Sequence, residues 1–213
     1  MNPQGPLLPR STQFAQWVLE EASRVPKGRG YRFEPGPRPT ASDLNPRDPH
    51  HDGVSRDLFV GDVCLGRSAE DGATYCCGVT LEVFIRAWGR WCDGQARPAG
   101  LAHMSPSQMH AFVATWFCPQ LGDAGAVEAL VSSGLGFRVD AEQARPGDFC
   151  QFWRSTDRAS ASGHSVIFLG WEEEDGPCIR YWSSQSVTRG VGEHRERVGA
   201  DWEMVFARAG SED

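Results

Sequence analysis

The apolar residues of this chain change period near residue 140, and that change limits the possible folds more than any other feature. Before it, apolar side chains recur at helical spacing; after it, they alternate or run in short blocks, as strands do. Residues 12–24 bring Phe14, Trp17, Val18 and Glu21-Ala22 together at helical spacing, with Ser11 or Thr12 placed to cap the start. Residues 76–91 put Val79, Val83, Phe84, Ala87, Trp88 and Trp91 on one broad face. A third helix is predicted from Ser105-Pro106, a capping serine followed by proline at the first helical position, through Met109, Phe112, Val113 and Trp116. A fourth, Ala124–Ser133, should stop at Gly134, the residue suited to a left-handed cap.

Past that point Arg145-Pro146-Gly147-Asp148 is a turn, followed by a strand at Phe149–Trp153. A polar loop, Ser155–Gly163, leads into an apolar strand from His164 to Trp171. Cys178–Ser184 reads as another strand, and Asp201–Arg208, with Trp202, Met204 and Phe206 alternating, closes the sheet. Helices first and an antiparallel meander after them is the α+β pattern, with N-terminal helices packed on an antiparallel sheet. The stretch Pro26–Gly53 holds six of the fourteen prolines and reads as a long loop or lid without its own core. The expected division is therefore residues 1–55, a helix and a proline-rich loop or lid, and residues 56–213, the main domain.

Charge and cysteine usage narrow the partners. With 21 Lys+Arg against 28 Asp+Glu the net charge is −7, and a mildly acidic surface argues against nucleic acid and anionic membrane, which need a basic footprint. No apolar run approaches the roughly 20 residues of a membrane span, and the start, MNPQGPLLPRSTQ, lacks the pattern of a secretory signal. Seven cysteines, at 64, 76, 77, 92, 118, 150 and 178, form no C-x-x-C pair; they make neither a disulfide framework nor a zinc ribbon and suit a reducing compartment. No metal or cofactor is expected. The expectation is a protein made in the cytoplasm without membrane insertion.

Chemistry concentrates at Gly72–Val79, where Cys76 stands at the start of an amphipathic helix. The partial positive charge and free N–H groups of a helix N-terminus favour thiolate over thiol. A thiolate nucleophile needs a proton shuttle, usually histidine, from another element. Of six histidines, His50 and His51 lie in the proline-rich loop, and His103, His110 and His194 in polar or helix-flanking contexts. His164 alone opens an apolar strand directly after a polar loop, placed to project over a groove. Each feature taken alone has a plainer reading. Cys76-Cys77 are then two buried thiols and His164 a strand-edge histidine. Tyr75 and Trp88 are packing residues, and His50-His51-Asp52 is a solvated loop without a second ligand cluster for a metal.

Taken in order, these features resemble the NlpC/P60 group of papain-like cysteine hydrolases. The family's Asp-Cys-Ser-Gly-hydrophobic pattern stands here as Tyr75-Cys76-Cys77-Gly78-Val79. Its Pro-Gly-Asp strand and Gly-His strand stand as Pro146-Gly147-Asp148-Phe149 and Gly163-His164-Ser165-Val166-Ile167-Phe168-Leu169-Gly170. The resemblance spans roughly residues 60–190 and implies a papain-like core. It places Cys76 as nucleophile, Cys77 at the serine after it, and His164 as general base. The third polar residue then lies among Ser183, Ser184 and Gln185. Ile179, Tyr181, Ser183 and Gln185 share one strand face, and Gln185 is preferred because its amide oxygen can accept the imidazole N–H. Tyr75, Cys77 and Ser184 are the candidate substrate-side residues, and the Cys76 backbone N–H a candidate oxyanion donor.

The implied reaction is acyl transfer from a peptide or cell-wall (peptidoglycan) peptide amide to water, with no cofactor. Transglutaminase- or deamidase-type transfer on the same Cys-His pair is the alternative within enzymes. A non-catalytic binding protein on the same fold is the alternative outside them. The chain is then either a resident cytoplasmic enzyme or a toxin exported by a route that reads no N-terminal signal. In the second case an inhibitor or immunity protein joins the expected partners.

Overall fold

The computed structural model describes residues 8–33, 51–93, 100–117, 124–157, 162–173 and 176–212. His50, Cys118 and the middle of the proline-rich segment, residues 34–50, lie outside the described residues, as do residues 158–161 of the polar loop. The order of elements is α1 (Ser11–Arg24), β1 (Gly28–Arg29), β2 (Leu58–Val60), β3 (Val63–Gly66), α2 (Cys76–Asp93), α3 (Pro106–Trp116) and α4 (Ala126–Ser132). Six strands follow: β4 (Gly136–Val139), β5 (Phe149–Trp153), β6 (Gly163–Glu173), β7 (Pro177–Gln185), β8 (Gly190–Arg197) and β9 (Glu203–Ala209). The fold is α+β: a seven-stranded sheet in the order β1-β8-β7-β6-β5-β9-β4, with β2 and β3 as a separate hairpin. Every pairing in the large sheet is antiparallel.

The helices stack on one face of this sheet. Phe14 of α1 touches Phe84 and Trp88 of α2, and Phe84 and Trp116 both meet Phe149 of β5, at ring separations of 5.3–5.9 Å. Burying one such side chain contributes roughly 1.5–3 kcal/mol, so α1 is held by the same core as α2. Successive residues of β5 face opposite ways. Phe149 turns to the helices, while Cys150 and Phe152 join Val166, Phe168, Ile179, Tyr181 and Phe206 in a second apolar cluster on the far face. With both faces covered, β5 is buried throughout, Gln151 included, rather than alternating.

Several expectations need correcting. The N-cap of α1 is Arg10, not Ser11 or Thr12. Arg10 bridges Ser211 near the C-terminus, and the Ser11 N–H donates to the Ser211 carbonyl, so a tertiary contact replaces the side-chain cap. α4 begins at Ala126, later than predicted, and Gly134, at φ 68°, follows its last turn as expected. Ser105 does cap α3, in a reciprocal box with Gln108. β8 escaped the periodicity because its outer half, Glu193–Arg197, alternates among polar residues only. β9 does not close the sheet at its edge but enters between β5 and the unpredicted β4.

One irregularity positions the site. Among the described residues the β6–β7 ladder runs from Glu173↔Pro177 to Ile167↔Trp182. Residues 163–166 stay paired with β5 but have no β7 partner in that ladder. The Ser165 carbonyl instead accepts a hydrogen bond from the Ser183 hydroxyl at 2.7 Å. β6 and β7 thus part at one end, and the start of α2 lies against that gap.

Candidate active site

The chain entering α2 is clamped from two sides. Thr74 exchanges backbone hydrogen bonds with Gly30 and Arg32 on one side, and the Tyr75 N–H donates to the Gly53 carbonyl on the other. Residues 52–53 cross so close to the first turn that a Cβ on Gly78 would collide with their backbone. The glycine after Cys76-Cys77 is therefore required sterically. Tyr75 caps the helix with its carbonyl, which accepts from Val79, and leaves Cys76 as the first helical residue.

Cys76 is 7% exposed, and its thiol is held well below the ordinary range. The largest cause is the Cys77 thiol, whose Sγ lies 3.8 Å from the Cys76 Sγ. Burial opposes the shift, while hydrogen bonding and charge from His164 and the backbone N–H of Ser165 add to it. Ser165 lies in the stretch of β6 that has no β7 partner in the ladder.

His164, at the start of β6, is buried between aromatic edges, with Phe152 and Tyr181 each 5.5 Å away, centroid to centroid. Its Nε2 lies 2.9 Å from the Gln185 Oε1. An amide oxygen only accepts, so Nε2 carries the proton and Nδ1 is the ring nitrogen left for the Cys76 sulfur. Behind the ring, the Tyr181 hydroxyl donates to Glu196 at 2.9 Å, and Arg154 grips the same carboxylate with bonds of 2.6 and 2.8 Å. Burial works against ionisation of Glu196, but Arg154 and Tyr181 together keep its carboxyl below the usual range.

The three candidates on β7 separate cleanly. The Ser183 hydroxyl serves the Ser165 carbonyl, Ser184 pairs with the Thr74 hydroxyl at 2.6 Å, and only Gln185 meets His164. Tyr75 is buried, its ring edge-on to Phe33, His51 and Phe117, so it lies in the interior beneath the helix start. Cys77 and Ser184 are also buried. His51 is buried too, its Nδ1 accepting from the Gly53 N–H at 3.1 Å. Among the described residues no group of three His, Cys, Asp or Glu side chains is arranged to hold a metal ion.

Two features beside the thiol were not legible beforehand. Tyr31, paired with Thr74, is 37% exposed; burial of the rest of its ring and the charges of Cys76 and Cys77 push its phenol up to about 12. Thr80 lies one helical turn after Cys76 and bonds to the Ser165 hydroxyl at 3.1 Å. A hydroxyl on the buried face of an apolar helix was the signal available for Thr80.

No family model, curated protein or solved structure matches this chain. Its chemistry must therefore be read from the site. A lowered thiol at a helix start, facing an imidazole whose far nitrogen is held by an amide oxygen, can attack an electrophilic carbon and pass a proton to a leaving group. Among the described residues no helix is long and apolar enough to cross a membrane.

Proposed function

We propose that this chain is a cysteine hydrolase with a papain-like core of the NlpC/P60 type, cleaving amide bonds in peptides, with cell-wall peptide as the leading substrate. The observation that carries the reading is the Cys76–His164–Gln185 alignment: a lowered thiol, an imidazole beside it and a 2.9 Å bond from that ring to the Gln185 amide oxygen. The three residues come from a helix start and two adjacent strands, the layout expected of nucleophile, base and orienting group.

In the reaction, Cys76 Sγ attacks the amide carbonyl while its proton rests on His164. The carbonyl oxygen becomes an oxyanion, for which the Cys76 backbone N–H at the helix start is an available donor. Collapse of the tetrahedral adduct breaks the C–N bond. His164 gives its proton to the departing amine, leaving a thioester on Cys76. Water, deprotonated by His164, attacks the thioester and releases the acid and the thiolate. Gln185 keeps Nε2 protonated throughout, so Nδ1 alone exchanges protons.

The test is iodoacetamide labelling near neutral pH together with turnover of muropeptides and fluorogenic peptide amides. Cys76 should be alkylated well before Cys64, Cys92, Cys150 and Cys178, and Cys76→Ala should abolish turnover in a folded protein. Turnover that survives Cys76→Ala, or faster labelling of Cys77, overturns the assignment.

A further inference from the structure

Thr80, Ser165 and Ser183 take no part in the reaction above, yet they form one line across the elements that carry it. Each is 0% exposed. Thr80 follows Cys76 by one helical turn, Ser165 follows His164 directly, and Ser183 precedes Gln185 by two residues on the same strand. The Thr80 and Ser165 hydroxyls lie 3.1 Å apart, and the Ser183 hydroxyl donates to the Ser165 carbonyl at 2.7 Å. On the helix side, Trp116 Nε1 donates to the Thr80 oxygen at 3.2 Å, and that hydroxyl also approaches the carbonyls of Cys76 and Cys77 at 3.1 Å.

Hydroxyls at zero exposure within an aromatic core are costly unless they are bonded, and valine or alanine would fill the space without that requirement. Here they occupy the gap where β6 and β7 part. Ser183 takes the Ser165 carbonyl at the point where the β6–β7 ladder has ended. Apolar packing between a helix and a sheet allows sliding, whereas a directional hydroxyl pair sets depth and rotation together.

We propose that the Trp116–Thr80–Ser165–Ser183 line is a positioning device that sets how deeply the start of α2 enters the β6–β7 gap, and so aligns Cys76 with His164. The proposal rests on the hydrolase reading and makes Thr80, Ser165 and Ser183 positioning residues. A misplacement of about 1 Å at a reacting centre can cost on the order of 100-fold in rate.

The experiment is the pH profile of Cys76 alkylation by iodoacetamide, with kcat and KM, in wild type, Thr80→Val, Thr80→Ser and Ser183→Ala. Thr80→Val keeps the shape and removes the hydroxyl. It should cut kcat by about 10–100-fold with little change in KM, and move the reactive limb of Cys76 to higher pH. Thr80→Ser should restore both. Ser183→Ala, the smaller lesion, should shift the profile in the same direction and keeps the test open if Thr80→Val does not fold. Folded variants whose profile and kcat superimpose on wild type overturn the proposal alone. A wild type without a low-pH reactive limb overturns the proposal and the hydrolase reading together.

Discussion

At Cys150, in the middle of β5, a thiol lies among Phe152, Val166, Phe168 and Phe206 and is 0% exposed. At Cys76, at the start of α2, a thiol is almost as deeply placed, at 7% exposure. Burial penalises the thiolate in both. At Cys150 it pushes the thiol well above the ordinary range, with the Asp148 carboxylate adding to the effect. At Cys76 the outcome is reversed by Cys77, His164 and the Ser165 N–H. The largest part of the difference is the Cys77 thiol beside Cys76, and the state of the sheet adds to it. β5 is paired on both sides, with β6 and β9, along its whole length, so its backbone has nothing to offer a neighbouring sulfur. β6 has no β7 partner in the ladder over residues 163–166, the stretch that carries His164 and Ser165, both of which help to lower the Cys76 thiol. Depth alone does not decide whether a cysteine is reactive; the groups beside it do.

The largest effect that could break this contrast comes from His164. His164→Ala removes the proton acceptor and the charge beside Cys76, and should slow acylation by about 10²–10⁴-fold. The Cys76 thiol was depressed partly by His164, so the reactive limb should also move up in pH, towards the behaviour of Cys150. Superimposable profiles in wild type and His164→Ala would show that the imbalance between the two thiols has another origin.

Asp148 sharpens the contrast from the opposite side. It belongs to the Pro-Gly-Asp block that helped suggest the family, yet the structure ties it to β9. Asp148 accepts two bonds of 2.9 Å from Arg208 and one of 2.7 Å from the Arg145 N–H. Arg208 is also buried, so Asp148→Ala removes the carboxylate that neutralises a charge inside the protein, at a cost of about 3–5 kcal/mol. Urea unfolding should record that loss, while the Cys76 alkylation profile stays where it was. A shifted profile would mean that the β5 turn and the site are one cooperative unit.

Gln185 should give a smaller effect. Gln185→Ala frees the imidazole to change tautomer and tilt but leaves the base in place. Losing one hydrogen bond to the ring is worth about 1–1.5 kcal/mol, roughly a tenfold fall in kcat. Gln185→Glu retains an acceptor and should recover most of that. Equal rates in all three chains would assign the orienting role to the aromatic edges of Phe152 and Tyr181.

How much of this was legible beforehand follows from the range of each interaction. The change in hydrophobic period showed α2–α4 before the strands from β5 on, though not β1–β3 ahead of α2, and Ser105-Pro106 marked the start of α3, because both signals are local. Strand parity placed Gln185 on the same face as Tyr181, and both residues do meet His164. β8 was not legible, because a strand buried only in its first half carries no apolar alternation. Tyr75 packs against His51 and Phe117, 24 and 42 residues away, contacts that no local pattern shows. The Thr80–Ser165 bond joins positions 85 residues apart, and no local pattern carries such a pairing.

The smallest effect concerns stability at alkaline pH and tests the Cys150 side of the comparison. An ordinary thiol titrates near 9.0, and Cys150 in the folded protein titrates well above that. Over the interval between the two values the unfolded chain releases a proton that the folded chain keeps. Stability from this group is therefore complete below about pH 9 and is lost as pH rises towards the folded value, with a slope of up to about 1.4 kcal/mol per pH unit. Cys76 has the opposite sign: its folded value is depressed, so its contribution is complete above the ordinary value and is lost as pH falls through the folded one. Above pH 9 the Cys76 contribution is therefore flat while that of Cys150 declines. Cys150→Ala should lower stability by a pH-independent amount, from the cavity it leaves, and also flatten the fall above pH 9. Urea unfolding of both chains at pH 8, 9 and 10 separates the two effects, because the titration of Tyr31 and the other alkaline groups is common to both and cancels. The gap between the curves should narrow by about 1 kcal/mol between pH 9 and 10. Parallel curves would mean that Cys150 ionises as readily folded as unfolded, and that the contrast between the two thiols rests on Cys76 alone.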